Sequence, residues 1–183
     1  DITDTGVEQM RRLADVLANQ PIKAIYSSDL QRAVKGARII GTRLALNPVM
    51  KHSLRELSLG RWEGLTREEA ADRFPEEAGF RFKDLAVSRV KGGESLLDLK
   101  ARVMPAVTDI IELHRGASVC IVAHGGVNRV ILSDAMGLAI ENFFRIEQDY
   151  GCLNIIDCFA DGVEVIKLLN GGPNQEMRTT VIY

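Results

Sequence analysis

Five consecutive apolar residues, Val119 to Ala123, run directly into His124-Gly125-Gly126. An uninterrupted apolar run this short is the pattern of a central strand covered on both faces, because neither side of its pleat meets water. Such a strand needs helices above and below it, and the chain on either side has to provide them.

The pattern upstream does so. Val7, Met10, Ala14 and Leu17 recur at helical spacing, with Thr3 placed to cap the first turn and Pro21 to close the segment. Residues 22–26 form a short β-rich run, after which Ser28 with Gln31 makes a capping-box signature ahead of Leu30, Ala33, Val34, Ala37 and Leu44. Residues 48–51 predict a second short strand, and residues 54–64 read as an irregular loop. Thr66 with Glu69 repeats the capping box and opens a helix that should stop before Pro75. Residues 75–93 follow no clear period. Ser95 opens a longer helical pattern through Leu99, Val103, Val107, Ile110 and Leu113, in which Pro105 predicts a kink or a division and Gly116 a stop.

Downstream, helix is expected from Val127 to about Met136. Residues 153–158 and 163–168 then flank Asp161-Gly162, a hairpin turn signal. Strands alternating with helices predict one α/β domain over residues 1–183: a three-layer sandwich with a mostly parallel central sheet, helices on both faces and an antiparallel strand near the C-terminal hairpin. Ligands of such sheets gather at the C-terminal ends of the strands.

Composition narrows the function. Lys and Arg total 23 against 25 acidic residues, a net charge of −2 that gives no long-range attraction to nucleic acid or an anionic membrane. Anion recognition must therefore be local. No apolar run approaches the roughly 20 residues of a membrane span, and no basic-then-apolar leader opens the chain. Cys120, Cys152 and Cys158 are odd in number and lack metal-type spacing, so they are expected to be reduced, buried thiols of a cytoplasmic protein. Monomer and homodimer are equally compatible with the pattern.

Three segments are expected at the ligand edge of the sheet. In the first, Arg32 lies in the opening turn of a helix just after a strand, where its guanidinium could hold two phosphate oxygens beside the positive helix end. In the second, His124 ends the buried strand, and Gly125 and Gly126 let backbone N–H groups approach an anion. In the third, Glu56 sits between apolar flanks that could desolvate it and suit it to donate a proton, with Glu63 as a competing carboxylate. Taken singly, each has an ordinary alternative: a solvated arginine, a loop histidine, a surface acid. Trp62 reads as a packing residue, and His52 and His114 as surface or helix-end residues.

Together, in this order, the segments resemble the histidine phosphatase superfamily of phosphoglycerate-mutase-like proteins. Residues 1–9 are similar to its P-L-T-x-x-G-x-x-Q helix start, with Asp1 and Ile2 replacing proline and leucine. Residues 27–37 are similar to S-S-x-L-x-R-A-x-x-T-A, with Gly36 in place of threonine, and residues 54–64 to L-x-E-x-x-x-G-x-W-E-G. Residues 93–95 match G-E-S, and residues 123–129 resemble S-H-G-G-x-x-R. The loop form and the short 68–92 region look more like the phosphatase branch, including its α-ribazole phosphatase-type and broad-specificity members, than like the mutase branch.

The resemblance implies two-step phosphoryl transfer through a phosphohistidine, with no metal or other cofactor and a small phosphorylated metabolite as substrate. Arg32, His124 and Gly125 would bind phosphate, and Glu56 with His124 would be catalytic. It also implies a nucleophilic histidine in an Arg-His-Gly triplet at the end of a first strand. That triplet does not occur among these 183 residues. The expectation is that it precedes Asp1 in the full protein, since a central strand would otherwise be missing and the chain as given would lack its nucleophile. The alternatives are a cofactor-dependent phosphoglycerate mutase and a non-catalytic phospho-ligand-binding domain.

Overall fold

The computed structural model describes residues 2–172, so Asp1, at the head of the first-helix pattern, lies outside them. Helix α1 spans Asp4–Leu17, and the Thr3 hydroxyl accepts from Gly6 N at 3.2 Å as its spacing predicts. Strand β1 (Ile22–Ser27), helix α2 (Gln31–Leu44) and a two-residue strand β2 (Val49–Met50) follow. Helix α3 (Arg67–Arg73) carries the Thr66–Glu69 capping box in both directions and ends before Pro75. Helix α4 (Leu96–Leu113) is continuous through Pro105. An interior proline costs about 3 kcal/mol, but burial of Leu96, Leu99, Val103, Val107 and Ile110 on one face, about 1.5–3 kcal/mol each, outweighs it. Strand β3 (Ser118–Val122), helix α5 (Gly125–Ala135) and the strands β4 (Leu153–Cys158) and β5 (Glu164–Gly171) complete the order.

Three strands form a parallel sheet in the order β2-β1-β3, with Tyr26 opposite Ile121 and Ser27 opposite Val122. Alternation along the strands divides the core into two layers. Ile25, Cys120 and Val122 pack with Ala14 and Leu17 of α1 and Ala37 and Ile40 of α2. Ala24, Tyr26, Val119 and Ile121 pack with Leu99, Val103 and Ile110 of α4 and Val127 and Val130 of α5. This is the expected three-layer α/β sandwich. Gly36, the departure from threonine, lies where α1 crosses α2, and a Cβ there would meet Met10 Sδ at 3.0 Å.

Four details differ from the sequence expectation. Among the described residues β1 is the middle strand, whereas β3, the strand with the strongest central pattern, pairs with β1 alone and is half-buried. The hairpin strands pair antiparallel as expected but form their own two-stranded sheet. The Ser28–Gln31 capping box does not form: α2 has Leu30 at its N-cap without a side-chain bond, because Ser28 is engaged elsewhere. Cys158 is exposed and Cys120 and Cys152 are half-buried, so the expectation of three buried thiols holds for none of them fully; all three are unpaired.

The two irregular stretches hold each other. Residues 54–64 contain the 3-10 turn Gly60–Trp62, and residues 75–93 contain Pro75–Glu77 and Phe82–Ala86. Arg61 pairs with Glu76 at 2.6 Å and Glu77 at 3.0 Å, while Trp62 Nε1 donates to Glu77 Oε2 at 2.9 Å and packs edge-on against Phe80. No helix among the described residues is long and apolar enough to cross a membrane.

Candidate active site

The parallel register of β1 and β3 delivers two residues side by side at the strand ends. Ser28 N donates to Val122 O at 3.3 Å, and one residue beyond Ala123 the buried His124 faces the Ser28 hydroxyl, Nε2 to Oγ 2.6 Å. Arg32, in the first turn of α2, donates from Nε to His124 Nδ1 at 3.2 Å. Arginine has no acceptor, so Nδ1 must be the unprotonated nitrogen, and the proton of the neutral ring sits on Nε2 and goes to Ser28. Desolvation pulls the His124 pKa from 6.5 down to about 4, and the positive charges of Arg32 and then Arg102 act in the same direction.

Both helices that open here begin without a side-chain cap of their own and without an acidic residue in the first turn. For α5 the cap comes from a distant segment. Glu56 Oε2 accepts from Gly126 N at 3.0 Å, and its Oε1 accepts from Leu57 N at 2.8 Å. A carboxylate at a helix start satisfies an orphan N–H and meets the positive end of the dipole. The contact depends on glycine at 126, since a Cβ there would overlap Glu56 Oε1 where it now lies. Gly125 opens α5, and Arg129 Nη1 would lie 3.2 Å from a Cβ placed on it.

The structure thus brings Arg32, His124, Gly125 and Glu56 to one end of the sheet. Glu56 is half-buried and held by two backbone donors, an environment more polar than its apolar flanks predict. Glu63 is exposed and accepts from Leu59 N at 2.8 Å, apart from this cluster. His52 is exposed and lies 3.5 Å from Asp29 Oδ2, and His114 at the end of α4 bonds the Tyr26 hydroxyl at 2.8 Å.

Sequence reasoning missed three contributors. Ser28 stands in the quoted motif, but its spacing to Gln31 suggests a cap rather than a bond to His124. The Asp29–Arg55 pair, with contacts of 2.6 and 2.9 Å, ties the start of α2 to the Glu56 loop, and the Arg55 hydrogen bond holds the Asp29 carboxyl down to about 2. Arg102 lies inside α4 and binds the backbone around Glu56. The one local hint was its position on the flank of the apolar stripe, beside Leu99 and Val103.

The family model described as the histidine phosphatase superfamily, branch 1, matches residues 1–171. A bifunctional protein of Mycobacterium tuberculosis is 34% identical over 170 residues, covering 92% of this chain; the chain spans only 46% of that relative. The glucosyl-3-phosphoglycerate phosphatase of Mycolicibacterium vanbaalenii is 34% identical over 150 residues, which are 78% of this chain and 66% of the enzyme. Among solved structures, a mycobacterial glucosyl-3-phosphoglycerate phosphatase complexed with VO3 superposes with a TM-score of 0.83 at 26% identity, over 94% of this chain and 88% of the other. The match over nearly the whole chain agrees with the cluster at the strand ends, and the chain belongs to the histidine phosphatase superfamily, branch 1.

Proposed function

We propose that the protein containing this chain hydrolyses a small phosphomonoester through a phosphohistidine. The observation that carries this reading is the cluster itself: the Arg32 guanidinium and the buried His124 in contact, with the Glu56 carboxylate anchored on the first turn of the helix that His124 opens. A phosphoryl group arriving as a dianion reverses the field on His124 and favours its protonated form. The added proton goes to Nδ1, as Nε2 already carries one, and Arg32 turns its fork from the imidazole to the phosphoryl oxygens. Two positive groups then meet the charge on the equatorial oxygens in both transfers. Glu56 enters the first transfer as the carboxylic acid and gives its proton to the leaving oxygen; the carboxylate left behind takes a proton from the attacking water in the second, which restores the acid.

The attacking histidine is assigned to a strand outside the 183 residues. In support, β3 pairs on one edge only and the β4–β5 hairpin pairs with no other strand among the described residues, while Leu153 of β4 packs in the same cluster as Cys120 and Val122 of β3. The unpaired thiols suit a cytoplasmic setting.

The test uses the complete protein. Mixing it with glucosyl-3-phosphoglycerate, 3-phosphoglycerate and a panel of other phosphomonoesters, then quenching, should trap an acid-labile phosphoenzyme and release inorganic phosphate. Isomerisation of 3-phosphoglycerate without appreciable phosphate release would make it a mutase. Neither phosphoenzyme nor turnover, with phosphate still bound, would make it a binding domain.

A further inference from the structure

We propose that Arg102, with Glu94, is the positioning pair that sets Glu56 for proton transfer; this rests on the phosphatase reading above. A guanidinium has five N–H donors, and Arg102 directs all of them at one short stretch of chain and its anchor. Nε and Nη2 bind the two Glu94 oxygens at 2.6 and 2.8 Å. Nη1 donates to Ser53 O at 2.9 Å and Arg55 O at 2.8 Å, and Nη2 donates to Glu56 O at 3.0 Å. No donor remains for a substrate, so Arg102 acts through the loop it holds.

Glu94 extends the clamp. Its Oε2 accepts from Ser58 N at 3.0 Å while its own N–H donates to Ser58 O at 2.8 Å. Behind it the backbones at Gly60 and Gly93 approach so closely that a Cβ on either would strike the other segment. The Arg102 hydrogen bond keeps the Glu94 carboxyl below its ordinary range, in the ionised form the clamp needs.

The division of labour separates this clamp from ordinary loop packing. Arg61, Trp62 and Glu77 hold the outer half of the loop against residues 75–91, whereas Arg102 and Glu94 hold residues 53–58, with Glu56 between them. The main chain at Glu56 is fixed to α4 and its carboxylate to α5. Carboxylate placement within an ångström decides whether a proton can pass to a leaving oxygen.

A loosened Glu56 should reveal itself through the leaving group. A poor leaving group needs the proton and a good one does not. In the complete protein, kcat/KM would be measured for dinitrophenyl, nitrophenyl, phenyl and alkyl phosphates, with vanadate inhibition as a measure of the cradle. Arg102→Lys keeps the charge but not the fork, and should lose on the order of 100-fold on alkyl phosphate while dinitrophenyl phosphate and vanadate change by less than about 3-fold. Glu56→Gln should show the same slope, and the double variant should be no worse than Glu56→Gln alone. Glu94→Gln, which keeps the shape of the clamp, gives the same comparison if Arg102→Lys does not fold.

Equal losses on every leaving group, or losses that add in the double variant, would overturn the positioning role while leaving the phosphatase reading intact. A Glu56→Gln variant with no leaving-group dependence would overturn the role of Glu56 and the positioning role with it, and no turnover of any ester by the unaltered protein would overturn the phosphatase reading.

Discussion

Adding one methyl group at Gly126 should separate stability from chemistry. Position 126 is the second residue of α5 and has no positive φ, so its backbone accepts alanine. The new Cβ, however, would overlap Glu56 Oε1 and lie 3.2 Å from Cδ and 3.6 Å from Oε2. The carboxylate is the flexible end of its side chain, so it moves and the helix stays. Moving it forfeits the Gly126 N–H bond, a charge-assisted contact worth about 1.5–3 kcal/mol. Replacing glycine by alanine in a helix returns about 1 kcal/mol. The net loss is therefore about 0.5–2 kcal/mol, a fall in Tm of a few degrees for a chain of this size.

If Glu56 is the proposed proton donor, the chemical effect should be much larger, since displacing a general acid costs about 10²- to 10⁴-fold in rate. Urea unfolding, vanadate inhibition and phosphomonoester turnover on the complete protein would measure all three. The expected pattern for Gly126→Ala is a folded protein with near-normal vanadate affinity and turnover reduced by at least about 100-fold. If the variant gained about 1 kcal/mol, the helix-propensity term alone, and kept its turnover, the Glu56–Gly126 contact would not exist in solution and the assignment of Glu56 would fall.

The other predictions concern the cradle. Arg32→Ala should weaken phosphate or vanadate binding about 10- to 150-fold, the equivalent of a charge-assisted contact of about 1.5–3 kcal/mol; unchanged affinity by titration calorimetry would remove Arg32 from the pocket. Ser28→Ala strands the buried Nε2–H of His124 and should cost about 1–3 kcal/mol in urea unfolding; a loss below about 0.5 kcal/mol would mean that His124 has another acceptor. His124 also sets a pH window. Its folded pKa, about 4, lies below the ordinary 6.5, so between these values the unfolded chain holds more protons. Stability should fall as pH drops from about 6.5 and level off near 4, by at most about 3 kcal/mol and by about 1–2 after allowance for solvent screening. His124→Asn should flatten that segment of the curve. The Asp29 carboxyl, held near 2, contributes in a separate and more acidic window, lost as pH falls below its ordinary 3.8.

Much of this was legible because its causes are local. The Thr66–Glu69 box and the Thr3 cap are written within four residues of chain, and the structure forms both. Arg32, Glu56 and His124, which the structure brings to one end of the sheet, stand out because each sits in a short, recognisable pattern. Ser28 was misread for the same reason: a capping spacing was present, but a buried imidazole 96 residues away competes for the hydroxyl and wins. Arg102 left only its place on the flank of the apolar stripe, since a helix-favouring arginine looks alike whether its fork meets water or five acceptors. The position of β3 in the sheet also escaped, because an apolar strand pattern records burial and not which neighbours supply it.

The two halves of the site close over different spans of chain. The cradle joins residues 92 and 96 positions apart and depends on β1 pairing with β3. The Glu56 half joins residues 36, 46 and 70 apart and depends on α4 and α5 docking beneath the loop. Loop-closure entropy rises only slowly with such lengths, so neither half has a decisive head start in folding. In the folded state the two should open separately, the 53–58 segment exchanging its amide hydrogens through local detachment from α4 while the amides of β1 and β3 exchange only on deeper unfolding. Among the described residues only two links cross between them, the Asp29–Arg55 pair and the Glu56–Gly126 bond, so a mutation that loosens the 53–58 segment should reach the Arg32–His124 contact through these alone.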